Sequence, residues 1–165
     1  MSRMVSTTDR LLIRLLQQNA RISFAELSRV TGIPESTVRR RVERLQDRGI
    51  MRFAMIAEAD QLGYDISAMI AMRIDLARLS PIGDQIAAMP EVVFASFLTG
   101  SFDIIAQIVT ESQPALVQFL TRLAQVEGIR STETFLMPQI LKPMTAWVIP
   151  QPEAGFDSES IELGD

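Results

Sequence analysis

Five side chains able to grip an anion recur along one short segment: Thr37, Arg40, Arg41, Arg44 and Arg48. If that segment is helical, a step of about 100° per residue gathers them into an arc of about 100°. Val38, Val42 and Leu45 then fall within about 60° of one another, forming an apolar stripe that a helix must bury. Guanidiniums crowded on one face repel each other, so the arrangement makes sense opposite a polyanion. Arginine pairs bidentately with phosphate, or with O6 and N7 of guanine in a duplex groove. A solvated helix face is the ordinary meaning of a charge run, and Arg39 illustrates it, because Glu35 and Glu43 flank it four residues to either side. Ser36, Thr37, Arg40 and Arg41, nearest the helix start, are expected at base edges or adjacent phosphates of double-stranded DNA. Arg44 and Arg48 are expected at the backbone only, and Ser23 joins the DNA-facing set from the preceding helix.

Composition excludes most competing chemistries. The 165 residues contain neither cysteine nor histidine, so thiol nucleophiles, disulfides, imidazole bases and zinc sites built on those ligands are unavailable. Nothing groups the 20 acidic residues into a paired-carboxylate centre, and no enzyme, metal or cofactor is expected. With 47% hydrophobic and 22% charged residues the chain reads as a folded globular protein. Met1 to Asp9 has no apolar core of a signal peptide, and no apolar run reaches the roughly 18 residues of a membrane span, so a cytoplasmic location is expected. The net charge of −4 hides an asymmetry. Residues 1–52 carry 11 arginines against 5 acids, whereas residues 53–165 carry 5 bases against 15 acids. A polyanion-binding module followed by a module with another task is the natural reading.

Local signals define the elements that hold the arginines. Asp9 to Leu16 has helical apolar spacing, with Thr7 or Thr8 as cap. Ser23-Phe24-Ala25-Glu26 has the form of a capping box opening a helix to about Val30. Thr31-Gly32-Ile33-Pro34 breaks that helix, and a third runs from about Glu35 to Arg48, ending at Gly49. Leu27, Ile33 and Val38 bracket the Gly32 turn, the spacing of a helix-turn-helix. Beyond Gly49 the period shortens. Ile50 to Glu58 reads as a connecting strand, and Asp60 to Asp65 as a turn into a new domain. Then follow a strand (Ile66 to Leu76), a helix (Pro81 to Met89), strands Val92 to Leu98 and Phe102 to Val109, a helix (Pro114 to Gln125) and a strand (Ile129 to Met137). The order βαββαβ is ferredoxin-like, making the chain α+β. Ile86 to Val92 and Leu123 to Ile129 echo each other at an offset of 37 residues, each a helix feeding a strand. Trp147 to Ile149 are expected to add a last strand. The predicted division is 1–52 for DNA binding, 53–65 as connecting strand and hinge, 66–150 for effector and assembly, and 151–165 as an acidic disordered tail.

Taken together these segments resemble the Lrp/AsnC (feast/famine) transcriptional regulators from about Thr8 to Lys142. The resemblance is carried by Asp9-Arg10, Arg21-Ile22-Ser23, Glu26-Leu27, Gly32 to Val42, Arg44-Leu45, Gly49-Ile50, Leu62 to Asp65, Gly100 to Asp103 and Gly128 to Thr132. It implies a plain or winged helix-turn-helix, a ferredoxin-like sensing domain, dimers joined through their sheets, and assembly of dimers into octamers. It also implies that Gly100, Ser101, Phe102 and Asp103, with the segment matching Thr132 to Met137, lie at a dimer–dimer interface that binds free amino acids. By residue type alone, Gly100 to Asp103 is a hairpin turn in which Asp103 satisfies backbone donors, or one whose amides hold an α-carboxylate. Thr134, Phe135, Leu136 and Met137 complete the candidate effector set, although as strand residues the last three are expected in the core. Ile70, Met72, Ile74, Phe97, Ile105 and Ile108 are too many apolar strand residues for an open sheet face to stay wet, which favours a homodimer. The function expected is a sequence-specific transcription regulator answering to an amino acid or similar molecule. The alternative is a nucleoid-architectural protein with weak sequence preference.

Overall fold

The computed structural model describes residues 5–150. They form two compact units, one reaching Met55 and taking up the chain again from Lys142, the other Ile56–Leu141.

In the first unit, α1 (Thr7–Gln18) is capped by Ser6, one residue before the nearer expected cap Thr7, because Ser6 Oγ accepts from Asp9 N at 3.1 Å. Helix α2 (Phe24–Thr31) is capped by Ser23, whose Oγ accepts from Glu26 N at 3.1 Å. Only half of the expected capping box is made. The Glu26 carboxylate accepts instead from Arg29 Nη2 at 2.5 Å and Nε at 3.0 Å, a charge-assisted pair one helical turn away. The hydrogen bond from Arg29 first, and its positive charge with it, hold the Glu26 carboxyl below its ordinary value. Gly32 ends α2 at φ +72° with its N–H on Ser28 O, a left-handed step that favours glycine. Helix α3 (Glu35–Asp47) follows directly. Leu12, Leu16, Leu27, Val38 and Val42 make the core, with Ile22, Ile33 and Met51 packed on it. Among the described residues this unit has no strand, so the helix-turn-helix is the plain form, without a wing.

Residues 50–58, expected as a connecting strand, form no strand. Alternating apolar residues satisfy the pattern, but a strand needs a ladder partner, and the chain brings none beside it. Phe53, Met55 and Ile56 are left exposed.

The second unit has β1 (Ile66–Ile74), α4 (Leu79–Ala87), β2 (Val92–Phe97), β3 (Ile104–Thr110), α5 (Gln113–Leu123) and β4 (Ile129–Leu136). Each expected element is present, with ends shifted by up to two residues. The strands form one antiparallel sheet in the order β2-β3-β1-β4. Strand alternation sends Ala68, Ile70, Met72 and Ile74 of β1, and Ile104, Ala106 and Ile108 of β3, into one core. There they meet Ile82 and Ile86 of α4 and Leu116, Phe119 and Leu123 of α5. Five of the residues expected to burden the open face, Ile70, Met72, Ile74, Phe97 and Ile108, therefore lie on the helix side, Phe97 opposite Ile104 and beside Gly83 of α4. By register the opposite face presents Met69, Ala71, Phe94, Ile105 and Phe135.

The strand expected at Trp147 to Ile149 is absent as well. After β4, Pro138 and Pro143 remove ladder donors. A short 3-10 turn at Met144–Ala146 leads into chain that docks on α1: Gln17 Nε2 donates to Trp147 O at 3.1 Å, and Ile149 N donates to Gln17 Oε1 at 3.0 Å. The acidic stretch 151–165 lies outside the described residues.

Candidate nucleic-acid interface and effector turn

The buried stripe of α3 is Val38, Val42 and Leu45, so the opposite side of the helix faces solvent, as expected. Ser36 and Arg40 are exposed in its first half and Thr37 is half-buried. Arg48, the C-terminal cap, is exposed too. Among the described residues neither Arg40 nor Arg48 has an ion-pair partner. Arg39 pairs with Glu35 at 3.4 Å, and its guanidinium lies 4.7 Å from the Phe24 ring centre, a local role in line with its flanking acids. Ser23 is spent as the cap of α2.

Arg41 and Arg44 are placed differently. Arg41 Nη1 donates to Asp9 Oδ1 at 3.0 Å, and Arg44 Nη2 to Asp9 Oδ2 at 3.1 Å. Asp9 is only 3% exposed, on the same α1 stripe as Leu12 and Leu16. The arginine arc is thus split. Arg40 and Arg48 stand free of α1, whereas Arg41 and Arg44 are drawn onto it by a shared carboxylate. Asp9 itself was missed as a site residue. The available signal was its position: an acid three and seven residues before Leu12 and Leu16 lies in an apolar stripe, and a buried carboxylate demands a cation.

In the second unit, the Gly100 to Asp103 turn joins β2 to β3. Gly100 has φ +136°, backbone that glycine alone adopts readily. Asp103 stitches the turn to β1 with its N–H on Met72 O at 2.9 Å and its Oδ2 accepting from Ile74 N at 2.9 Å. Its carbonyl accepts from Leu98 N at 2.8 Å. Ser101 is exposed and Phe102 half-buried, the latter under the Arg73 guanidinium, 5.4 Å from its ring centre.

The other half of the expected effector set lies elsewhere. Thr134, Phe135 and Leu136 pair with Ile70, Met69 and Ala68, and Met137 N donates to Ser67 O at 2.8 Å. At about 3.4 Å per residue, Ile70 and Ser67 are roughly 14 and 24 Å along β1 from Ile74. A single chain therefore does not bring the two halves together. Nor are Phe135 and Leu136 core residues: they are 51% and 55% exposed, because β4 is an edge strand that reaches the core cluster only through Ile129. Among the described residues no cluster of acids is arranged to hold a metal ion, and no helix is long and apolar enough to cross a membrane.

Residues 6–46 match the AsnC-type helix-turn-helix domain, and residues 67–147 the Lrp/AsnC ligand binding domain. The chain belongs to the Lrp/AsnC family. An uncharacterised HTH-type transcriptional regulator of Pyrococcus abyssi is 39% identical over 136 residues, 81% of this chain and 86% of that protein. The structure of Escherichia coli AsnC superposes with a TM-score of 0.79 at 28% identity, covering 86% of this chain and 99% of that one. A Neisseria meningitidis transcriptional regulator solved in complex with L-Met shares the fold, with a TM-score of 0.77 at 23% identity over 90% and 97% of the two chains. The Lrp/AsnC protein described here is accordingly a DNA-binding transcription regulator with a separate ligand-binding domain. In it α3 is the second helix of the helix-turn-helix, and the Gly100 to Asp103 turn lies within the ligand-binding domain.

Proposed function

We propose that this regulator recognises particular duplex sequences through the exposed face of α3 and answers to an amino acid or a similar small molecule. One observation carries the reading: Arg40 stands exposed on the recognition helix while a buried carboxylate holds Arg41 and Arg44 beside it. Ser36, Thr37, Arg40 and Arg41 reach base edges or adjacent phosphates, and Arg44 and Arg48 contact the backbone only. Two copies pair through the open sheet face, where Met69, Ala71, Phe94, Ile105 and Phe135 form an apolar patch. The pairing sets two recognition helices at a fixed spacing for a pseudo-palindromic site. The effector site is completed when Gly100 to Asp103 of one copy meets Thr134 to Met137 of another in a higher assembly of dimers. Binding of L-Met by the Neisseria relative supports an amino acid as the ligand class. The protein acts in the cytoplasm and has no catalytic activity.

Electrophoretic retardation of duplexes at graded salt tests the DNA reading. If six to ten phosphates are neutralised per dimer, affinity falls about 10³- to 10⁵-fold between roughly 50 and 200 mM salt. Arg40→Ala weakens binding and relaxes base preference, whereas Arg44→Ala weakens every sequence alike and flattens the salt slope by about one. Binding that ignores salt, or identical behaviour of the two variants, refutes it. Calorimetry with the twenty amino acids and related small acids tests the effector, and no heat with any of them removes that half of the proposal.

A further inference from the structure

We propose that Asp9, at the start of α1, is a positioning residue for sequence recognition: it holds the Arg41 and Arg44 guanidiniums in the orientation in which they meet DNA. The inference rests on the reading of the α3 face as the duplex-binding surface.

The carboxylate is buried, with its side chain 5% exposed, whereas the Arg41 and Arg44 side chains are 30% and 50% exposed. Each guanidinium has five N–H donors. Asp9 takes one from each arginine, and the remaining donors are available on the exposed side. The arrangement exceeds what packing needs. A buried ion pair is poor value for stability compared with apolar side chains of the same volume, and a clamp between α1 and α3 would need one arginine. Here two cations share one anion, so the cluster keeps a positive charge and turns it outward. The anion is itself well placed, since it lies in the first turn of α1 with its N–H on Ser6 Oγ, where the helix dipole favours negative charge. Arg41 and Arg44, one turn apart on α3, are thereby fixed as a pair. Long side chains that would lose rotamer freedom on meeting base edges have lost it already. Arg40 has no such tether among the described residues.

The test uses the full chain, a duplex selected from genomic fragments by the wild-type protein, and a random-sequence duplex of the same length. Asp9→Asn keeps the shape and removes the charge. Helical content is checked by circular dichroism. The expected result is a loss of about tenfold in affinity for the selected duplex, the scale of one bidentate contact, no loss for the random duplex, and a salt slope steeper by about one as the freed guanidiniums bind phosphate unguided. If Asp9→Asn does not fold, Asp9→Glu is read instead: charge is kept and position shifted by one methylene, so preference for the selected duplex falls while the slope stays at the wild-type value. Equal losses on both duplexes, or full preference retained in a folded variant, overturn the inference. Failure of the wild-type chain to retard either duplex at low salt overturns the reading of the α3 face itself, and the inference with it.

Discussion

Replacing Asp103 by alanine deletes the side chain that accepts from Ile74 N at 2.9 Å. Ile74 is 2% exposed, and the β1–β3 register ends at Met72 opposite Ile104, so no strand carbonyl of β3 takes over that N–H. A buried donor left without a partner costs about 1–3 kcal/mol. Asparagine retains a carbonyl oxygen at the same position and gives up only the extra strength of a charged acceptor, about 1 kcal/mol. In a domain of this size each 1 kcal/mol moves the melting temperature by about 4–8 °C. Thermal and urea unfolding of the three proteins, followed by circular dichroism, are therefore expected to rank wild type above Asp103→Asn above Asp103→Ala. The ordering also governs how effector binding is judged. A loss of ligand heat in the alanine variant reports the damaged turn as much as the lost carboxylate. A loss in the asparagine variant, with melting near wild type, reports the carboxylate alone, as expected if it accepts from an α-ammonium. An alanine variant as stable as wild type would refute the argument, since it would mean that Ile74 N–H does not depend on Asp103.

Leu27→Ala removes a fully buried side chain from the small three-helix core and is expected to cost about 2–5 kcal/mol. Guanidinium titration should give a lower midpoint, with DNA retardation lost at the same denaturant concentration as helical signal. Glu26 contributes an acid-sensitive increment. Its carboxyl is held below the ordinary 4.5, so the stabilisation is present above that value and lost as pH falls through the lowered folded one. Melting curves between about pH 5 and 3 should show a smaller acid-induced decline in Glu26→Gln than in wild type, and matching declines would remove the Arg29 pair from the account.

Much of the fold was legible because its signals are local. The Ser23 cap, the Gly32 break and the 3.6-residue stripe Val38, Val42, Leu45 act within a few residues of themselves, and α2 and α3 form where they direct. The βαββαβ order was equally visible, since each helix and strand carries its own period. The segments that were misread share one property: Ile50 to Glu58 and Trp147 to Ile149 have strand-like sequences, but whether a segment pairs depends on a partner elsewhere in the chain. Phe135 and Leu136 show the same limit for burial, because their exposure follows from the edge position of β4 rather than from their types.

For the candidate site, the chain order alone determined which helix would carry the arginines and that their face would be turned away from the core. Only the tertiary structure decided which of them stand alone. Asp9 lies 32 and 35 residues from Arg41 and Arg44, and no local pattern couples positions that far apart. Their pairing exists because burial against α3 takes the carboxylate out of water and makes a nearby cation necessary. The same holds for the effector residues: the turn at Gly100 to Asp103 is written in its glycine and aspartate, while its separation from Thr134 to Met137 along β1 is set by strand register, a property of the assembled sheet.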